Sequence, residues 1–207
     1  QEGNVTLYLG DDLDVLRRLP DESIHAGVMS PPYWAQRNYG VDGQLGQEAD
    51  PAAYVEALVA VFREVRRVLR SDGTCWVVLD TTYMREAFAP LGLKAGDDAL
   101  IPHRVAIALQ QDGWYVRSEI VWDTPNAPPE SVPNRPTRSH ESVFMLTKSG
   151  SGYFFDADVI RELPAAASAA RVALAKSRTD VAAPAKHYKG TGGGVAGKGV
   201  GADRLLA

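Results

Sequence analysis

The sequence predicts an α/β fold with a doubly wound, mostly parallel sheet. Two observations support this fold class. Short runs rich in β-branched and aromatic residues alternate with longer segments in which apolar residues recur at the spacing of one helix face. Strands that alternate with helices normally pair in parallel, because each helix carries the chain back to the start of the sheet. The 207 residues, 45% of them hydrophobic, suffice for one domain with a core.

The first half of the chain contains three predicted strands and two predicted helices. The strands are VTLYLGD (5–11), IHAGVMS (24–30) and TCWVVLD (74–80). The first helix covers DLDVLRRLP and closes at Pro20. The second helix has the strongest signals, because Asp50 suits the N-cap, Pro51 suits the first turn and Gly73 offers a stop.

The second half of the sequence contains one further predicted helix and two further predicted strands. DALIPHRVAIALQQDGW (98–114) has a helical spacing of apolar residues and a stop at Gly113. YVRSEIVWD (115–123) and ESVFMLTKSG (141–150) predict strands, and GYFFD (152–156) could extend the last one. Because these strands are close in sequence, we expect an antiparallel pair at one edge of the sheet.

Charge and composition divide the chain into two parts. Residues 1–163 carry 15 Lys and Arg against 24 Asp and Glu, whereas residues 164–207 carry 7 against 2 and are rich in Ala and Gly. A basic segment on an acidic body is either a phosphate-contacting arm or a solvated, flexible loop. GTGGGVAGKGVG (190–201) does not predict a nucleotide-binding loop, because no strand precedes it and no helix follows it.

Several classes of protein are excluded by the composition. No apolar run reaches the roughly 18 residues of a membrane span, and QEGNVTLYLGDD lacks the basic start and apolar core of a signal peptide. The single cysteine, Cys75, excludes an internal disulfide framework, and its place in a strand predicts burial. His140 and Glu141 are strand neighbours that point to opposite faces, which argues against a metal pair. We therefore expect a cytoplasmic protein without bound metal.

The stretch SPPYW, residues 30–34, is the most informative motif. It follows a predicted buried strand, and ligands bind at the carboxyl ends of strands in open α/β sheets. Ser30 offers a hydroxyl, Pro31 a fixed carbonyl and Tyr33 an aromatic face. This set fits a planar base with an exocyclic amine, because two acceptors on its N–H groups draw the nitrogen toward tetrahedral geometry while the ring supports stacking.

The chain resembles the DNA amino-methyltransferases, which methylate cytosine N4 or adenine N6 from S-adenosylmethionine. Their tetrapeptide [DNS]-P-P-[YFW] is Ser30-Pro31-Pro32-Tyr33 here. The stretches LYLGDDLDVLRRLPDESIHAGVMSPPYW and WDTPNAPPESVPNRPTRSHESVFMLTKSGSGYFFD are similar to two further blocks of the family. The resemblance implies a sheet of the S-adenosylmethionine-dependent methyltransferase type and makes residues 1–163 the catalytic region. Residues 164–207 would begin the target-recognition region or form a loop.

The resemblance also implies roles for individual residues. Ser30, Pro31, Pro32 and Tyr33 would be catalytic, with Ser30 and Pro31 as acceptors and Tyr33 stacked on a base flipped out of double-stranded DNA. Gly10, Asp11 and Ser30 would lie beside the cofactor. The residues expected to contact the base or the DNA are Trp34, Asn126, Ser131, Arg135 and Arg138. For Arg135 and Arg138, pairing with carboxylates such as Glu130 is the alternative to phosphate contact.

The family's D-P-F-x-G-x-G cofactor loop is missing, and too few residues precede Ser30 to hold it. This fits the permuted, β-type order, in which the catalytic tetrapeptide comes early and the glycine loop last. We therefore expect the fold to be incomplete at the C-terminal end, with a second segment or chain supplying the loop. A homodimer is also compatible with the family, as is a prokaryotic or phage-encoded origin.

The serine form of the tetrapeptide favours cytosine N4 over adenine N6 as the target. Two other interpretations stay open. One is a truncated, inactive relative that binds DNA through residues 164–207. The other is methylation of a glutamine amide in a protein, although such enzymes carry their cofactor loop upstream of the tetrapeptide.

Overall fold

The computed structural model describes residues 5–127, 129–130 and 132–161. Residues 1–155 form one compact unit, and residues 156–207 form a second. Of the second unit the structure describes 156–161, a turn in which the Asp156 side chain accepts from the backbone N–H groups of Asp158 and Val159. The basic segment 164–207 lies outside the described residues, so its predicted role as an arm or loop stays a prediction.

The first unit contains three helices and four strands within the described residues. In chain order these are α1 (Asp12–Arg18), β1 (Ile24–Met29), α2 (Pro51–Val68), β2 (Leu69–Leu79), α3 (Ile101–Gln111), β3 (Tyr115–Asp123) and β4 (His140–Thr147). A short 3-10 turn, Ala89–Leu91, precedes α3. No helix in the described part of the chain combines the length and the apolar character that crossing a membrane requires.

The predicted start of α2 is confirmed by its cap. The Asp50 carboxylate accepts from the backbone N–H groups of Ala52 and Ala53, and Pro51 occupies the first turn of α2. The prediction that α2 ends near Gly73 is wrong, because the helix ends at Val68 and β2 begins directly after it. Gly73 lies inside β2, where a Cβ would come within 2.8 Å of the His25 carbonyl. The glycine therefore permits a close approach of two strands.

The sheet has the strand order β1-β2-β4-β3 and is mixed. β1 pairs in parallel with β2, whereas β4 is antiparallel to both β2 and β3. The expected antiparallel edge pair is confirmed. The expectation of a mostly parallel sheet needs correction for the described strands, since one of their three pairings is parallel. β4 follows β3 without a crossover helix, a connection that antiparallel pairing permits and parallel pairing does not.

One predicted strand and one suggested strand extension are absent from the described residues. Residues 5–10 form no strand, and Leu7 and Leu9 are exposed, the latter at 101%. An isolated strand has no ladder to satisfy its backbone, and none of the described strands lies beside this segment. GYFFD does not extend β4 either. Gly152 turns the chain at a φ of +82°, and the Phe154 N–H then donates to the Asp72 carbonyl.

The core lies between the helices and one face of the sheet. α2 and α3 pack against each other, and α1 packs against α2. The fully buried residues include Tyr54, Phe62, Leu79, Leu109 and Leu146. Cys75 is buried among them, as predicted. The carboxyl ends of β1 and β2 and the amino end of the antiparallel β4 therefore meet at one edge of the sheet.

Candidate active site

Three side chains that start from this edge form a hydrogen-bonded chain. The Ser30 hydroxyl, directly after β1, donates to the Tyr33 hydroxyl at 3.1 Å. The Tyr33 hydroxyl donates to the Glu141 carboxylate, near the start of β4, at 2.6 Å. The two prolines between Ser30 and Tyr33 fix the backbone φ angles of the turn that brings these hydroxyls together.

A cavity of about 330 Å³ lies beside the hydrogen-bonded side chains of Ser30, Tyr33 and Glu141. Its walls are Ser30, Pro31, Pro32, Tyr33, Gln36, Arg37, Tyr39, Asp80 and Glu141. Asp80 lies directly after β2 and is one of the two carboxylates of these walls. Its carboxylate accepts from the Gln36 amide at 3.1 Å and from the Thr81 N–H at 2.7 Å. The charged groups of the cavity are thus one guanidinium and two carboxylates.

The Tyr33 hydroxyl stays protonated at neutral pH. Burial, the hydrogen bond to Glu141 and the negative charges of Glu141 and Asp80 raise the pKa of Tyr33 to about 12. The hydrogen bond from Ser30 acts in the opposite direction but is outweighed. Tyr33 therefore remains a donor toward Glu141.

The turn after β1 is fastened from two sides by residues that the sequence did not point to. The buried Tyr54 of α2 donates its hydroxyl to the Pro32 carbonyl at 2.9 Å. Gly46 lies on the other side, where a Cβ would come within 2.9 Å of the Tyr33 carbonyl. Its own carbonyl accepts from the Ala35 N–H at 2.8 Å. No local sequence signal marks either contact, because both join segments distant along the chain.

Trp34 lies in the hydrophobic core, with its side chain 8% exposed. The contact with the base or the DNA that the sequence predicts for it stays a prediction. The indole Nε1 donates to the Glu48 carbonyl at 3.0 Å. Packing of the large ring against the core lowers the free energy more than exposing it at the sheet edge would. Tyr33 thus lines the cavity, whereas Trp34 anchors the turn.

Arg135 and Arg138 both pair with carboxylates in the structure. Arg135 donates from Nε and Nη2 to Glu130, and its guanidinium lies 3.4 Å from the centre of the Tyr83 ring. Arg138 donates to the Thr81 carbonyl at 2.8 Å, and its Nε lies 3.4 Å from the Asp80 carboxylate. Hydrogen bonds from the Arg138 backbone N–H and then from Arg135 lower the pKa of the Glu130 carboxyl. Phosphate contact by either arginine stays a prediction.

Asn126, another predicted base or DNA contact, does not line the cavity. It is exposed in the loop between β3 and β4. Ser131 lies outside the described residues. Thr124, at the start of this loop, donates its backbone N–H to the Ser139 carbonyl. A role for Asn126 in DNA contact therefore stays a prediction.

Two of the three residues expected beside the cofactor, Gly10 and Ser30, line the same cavity. This cavity of about 400 Å³ is also lined by Tyr8, Met29 and side chains of α2. The Asp11 carboxylate caps α1 by accepting from the Asp14 N–H at 3.2 Å. These mostly apolar walls are suited to a flat ring such as adenine, and Asp12 is the one carboxylate among their described residues. Contact of Gly10, Asp11 and Ser30 with the cofactor stays a prediction.

Comparison with solved structures defines the class of protein. The fold is similar to that of PvuII DNA methyltransferase (cytosine-N4-specific), with a TM-score of 0.54, 22% identity, and coverage of 70% of this chain and 49% of that one. It is also similar to TTHA0409 of Thermus thermophilus complexed with S-adenosyl-L-methionine, with a TM-score of 0.52, 27% identity, and coverage of 75% and 61%. The chain therefore has the open α/β fold of the methyltransferases.

The chain belongs to the DNA methylase family N6_N4_Mtase, whose sequence profile matches residues 24–184. It is 48% identical over 176 residues to the type II methyltransferase M.Cfr9I of Citrobacter freundii, covering 76% of this chain and 58% of the relative. It is 49% identical over 162 residues to M.SfiI of Streptomyces fimbriatus, covering 75% and 38%. The chain thus spans little more than half the length of M.Cfr9I.

Proposed function

We propose that the whole protein transfers a methyl group from S-adenosylmethionine to the exocyclic amine of a base flipped out of double-stranded DNA. The observation that carries this proposal is the cavity at the edge of the sheet, where Ser30, Pro31 and Tyr33 lie together at the end of β1. The membership of residues 24–184 in the DNA methylase family supports it. Relatives named type II methyltransferases support a place in DNA modification.

The residues of this chain bind and orient the amine. The Pro32 carbonyl is already engaged by Tyr54, so we assign the Pro31 carbonyl and the Ser30 hydroxyl as the two acceptors. Two hydrogen bonds localise the nitrogen lone pair that the base ring otherwise delocalises, and the Tyr33 ring holds the base in place. The cofactor, when bound, supplies an electrophilic methyl group on a sulfonium. Ser30 is too weak a base to act alone, so its main contribution is alignment.

Substitution of Ser30 tests this assignment in the full-length protein. We expect Ser30→Ala to slow single-turnover methyl transfer to DNA by about 10² to 10³, the usual effect of losing one aligned polar contact in the transition state. The control is Ser118→Ala, since Ser118 is exposed on β3. An unchanged rate in Ser30→Ala would remove this residue from the proposed mechanism.

Cytosine N4 is the favoured target and adenine N6 the alternative. The serine form of the tetrapeptide supports cytosine, and PvuII DNA methyltransferase, similar in fold, is described as cytosine-N4-specific. Both amines need the same two acceptors, so the cavity alone does not separate them. Mass spectrometry of nucleosides from methylated DNA separates them, because the deoxynucleosides of N4-methylcytosine and N6-methyladenine differ in mass.

A second segment is proposed to complete the cofactor site. Among the described strands β1 pairs with β2 alone, and its Val28 is 77% exposed. The relative M.Cfr9I is longer than this chain, which leaves room for such a segment in the whole protein. A homodimer is a separate expectation, which light scattering of the full-length protein would check. If the full-length protein binds DNA but transfers no methyl group, the inactive DNA-binding alternative holds.

A further inference from the structure

The hydrogen-bonded chain from Ser30 to Glu141 ends on a carboxylate that the proposed mechanism does not yet use. Tyr33 and Glu141 are 108 residues apart, and the contact crosses from the end of β1 to the start of β4. Glu141 lines the same cavity as the proposed amine acceptors.

The carboxylate fixes the direction of every hydrogen bond in the chain. An ionised carboxylate can only accept, so the Tyr33 hydroxyl must donate to it. The Tyr33 oxygen then accepts from Ser30. With its proton turned toward Tyr33, the Ser30 oxygen presents lone pairs to an N–H group. Without the carboxylate, Tyr33 could donate to Ser30, and Ser30 would then turn its own proton toward a group that also donates.

The other carboxylate of the cavity walls, Asp80, already has partners of its own. Asp80, which also lines the cavity, accepts from Gln36 and Thr81 and lies beside the Arg138 guanidinium. The hydrogen bond that the described residues give to the Glu141 carboxylate comes from Tyr33. Arg37 is the cationic group of the cavity walls, and Trp122 of β3 is the register partner of Glu141. Of the two carboxylates, Glu141 is therefore the one joined to Ser30.

We infer that Glu141 is a positioning residue for amine methylation, which orients Ser30 through Tyr33 and takes up the proton that the amine releases. This inference rests on the proposed function. In the transfer step a bond forms between the amine nitrogen and the methyl carbon as the sulfur–methyl bond breaks. The nitrogen gains one positive charge and the sulfur loses one. One N–H proton passes to Ser30, the Ser30 proton to Tyr33 and the Tyr33 proton to Glu141, which releases it to water.

The first test needs neither cofactor nor DNA. The pKa of Tyr33, measured in this chain by NMR of ¹³Cζ-labelled tyrosine, should fall in Glu141→Gln from about 12 toward the ordinary value near 10. The matched control is Glu119→Gln, because Glu119 contacts Ser142 and His103 instead of Tyr33. An unchanged Tyr33 pKa in Glu141→Gln would show that the two side chains are not coupled, and would overturn the inference.

The second test uses single-turnover methylation by the full-length protein. We expect Glu141→Gln and Tyr33→Phe each to slow methyl transfer by about 10²-fold, with an unchanged dissociation constant for DNA. The double variant should be no slower than either single variant, because both changes interrupt the same series of hydrogen bonds from Ser30 to Glu141. Glu119→Gln should keep the full rate.

The outcomes separate this inference from the function on which it rests. If the unaltered protein methylates DNA and Glu141→Gln is as fast, the proton route is wrong while the proposed function stands. If the losses in the two single variants multiply in the double variant, Glu141 acts independently of Tyr33, which also overturns the inference. If the unaltered protein transfers no methyl group to any base, the proposed function itself fails.

Discussion

The segment after β1 and the segment before α1 line one shared cavity, but they are held very differently. The turn at residues 30–34 is tied to α2 by Tyr54, to the Gly46 loop and to β4 by Glu141. Residues 5–9 are exposed, and the described residues give them no strand partner. The described residues therefore hold the proposed amine-binding part of the site in place, while the segment on the proposed cofactor side has no strand partner among them.

The largest expected loss comes from crowding the turn at Gly46. Gly46→Ala puts a Cβ within 2.9 Å of the Tyr33 carbonyl at a residue with a φ of +89°. We expect a loss of about 3 kcal/mol in the free energy of unfolding, measured by urea denaturation. Gly43→Ala is the matched control, because Gly43 also has a positive φ but no atom near the added Cβ. If Gly43→Ala lowered the free energy of unfolding by as much as Gly46→Ala, the positive φ angle would explain the loss and crowding of the Tyr33 carbonyl would not.

The arginine behind the cavity gives the next largest expected effect. Arg138→Ala removes a donor to the Thr81 carbonyl and the cationic partner of Asp80. We expect a loss of about 2 kcal/mol, since hydrogen bonds to charged groups are the strong ones. Arg17→Ala, which breaks an exposed pair with Asp14, should cost less than about 0.5 kcal/mol. Equal losses in the two variants would contradict a supporting role for Arg138.

A smaller effect is expected at the contact between α2 and the turn. Tyr54→Phe removes the hydroxyl that donates to the Pro32 carbonyl. The loss should be about 1 kcal/mol, the net value of a single hydrogen bond. Tyr115→Phe, at an exposed residue of β3, should change the free energy of unfolding very little. A neutral Tyr54→Phe would mean that the prolines alone hold the turn.

The smallest effect in this chain should come from the segment before α1. Leu9→Asn changes a fully exposed side chain, so the free energy of unfolding of this chain should stay within about 0.5 kcal/mol. In the full-length protein the same change should be destabilising, because the proposed second segment would cover Leu9. A neutral effect in both proteins would contradict the proposed contact.

Local signals in the sequence predicted the helices and failed for contacts between distant segments. Asp50 and Pro51 mark the start of α2 through bonds within four residues, so the sequence was sufficient there. Gly73 was misinterpreted as a helix stop, because its close approach to His25 depends on the pairing of β1 with β2. The strand predicted at residues 5–11 failed for the same reason, since pairing is needed to form it.

In the candidate site too, the sequence predicts what adjacent residues form and does not predict contacts between distant segments. The tetrapeptide was found because its chemistry is contained in adjacent residues, Ser30 to Tyr33. The link from Tyr33 to Glu141 was missed, although Glu141 lies in the second block that resembles the family. The core position of Trp34 was also missed, because an aromatic residue beside a turn has the same pattern whether it packs inward or outward.

The central claim is that this chain lacks a complete site for the cofactor. Titration calorimetry with S-adenosylmethionine tests that claim most directly. The chain alone and the full-length protein would be titrated under the same conditions. We expect heat of binding from the full-length protein and none from the chain alone. Tight binding by the chain alone would contradict the proposed second segment, because the cavity lined by Gly10 and Ser30 would then be sufficient.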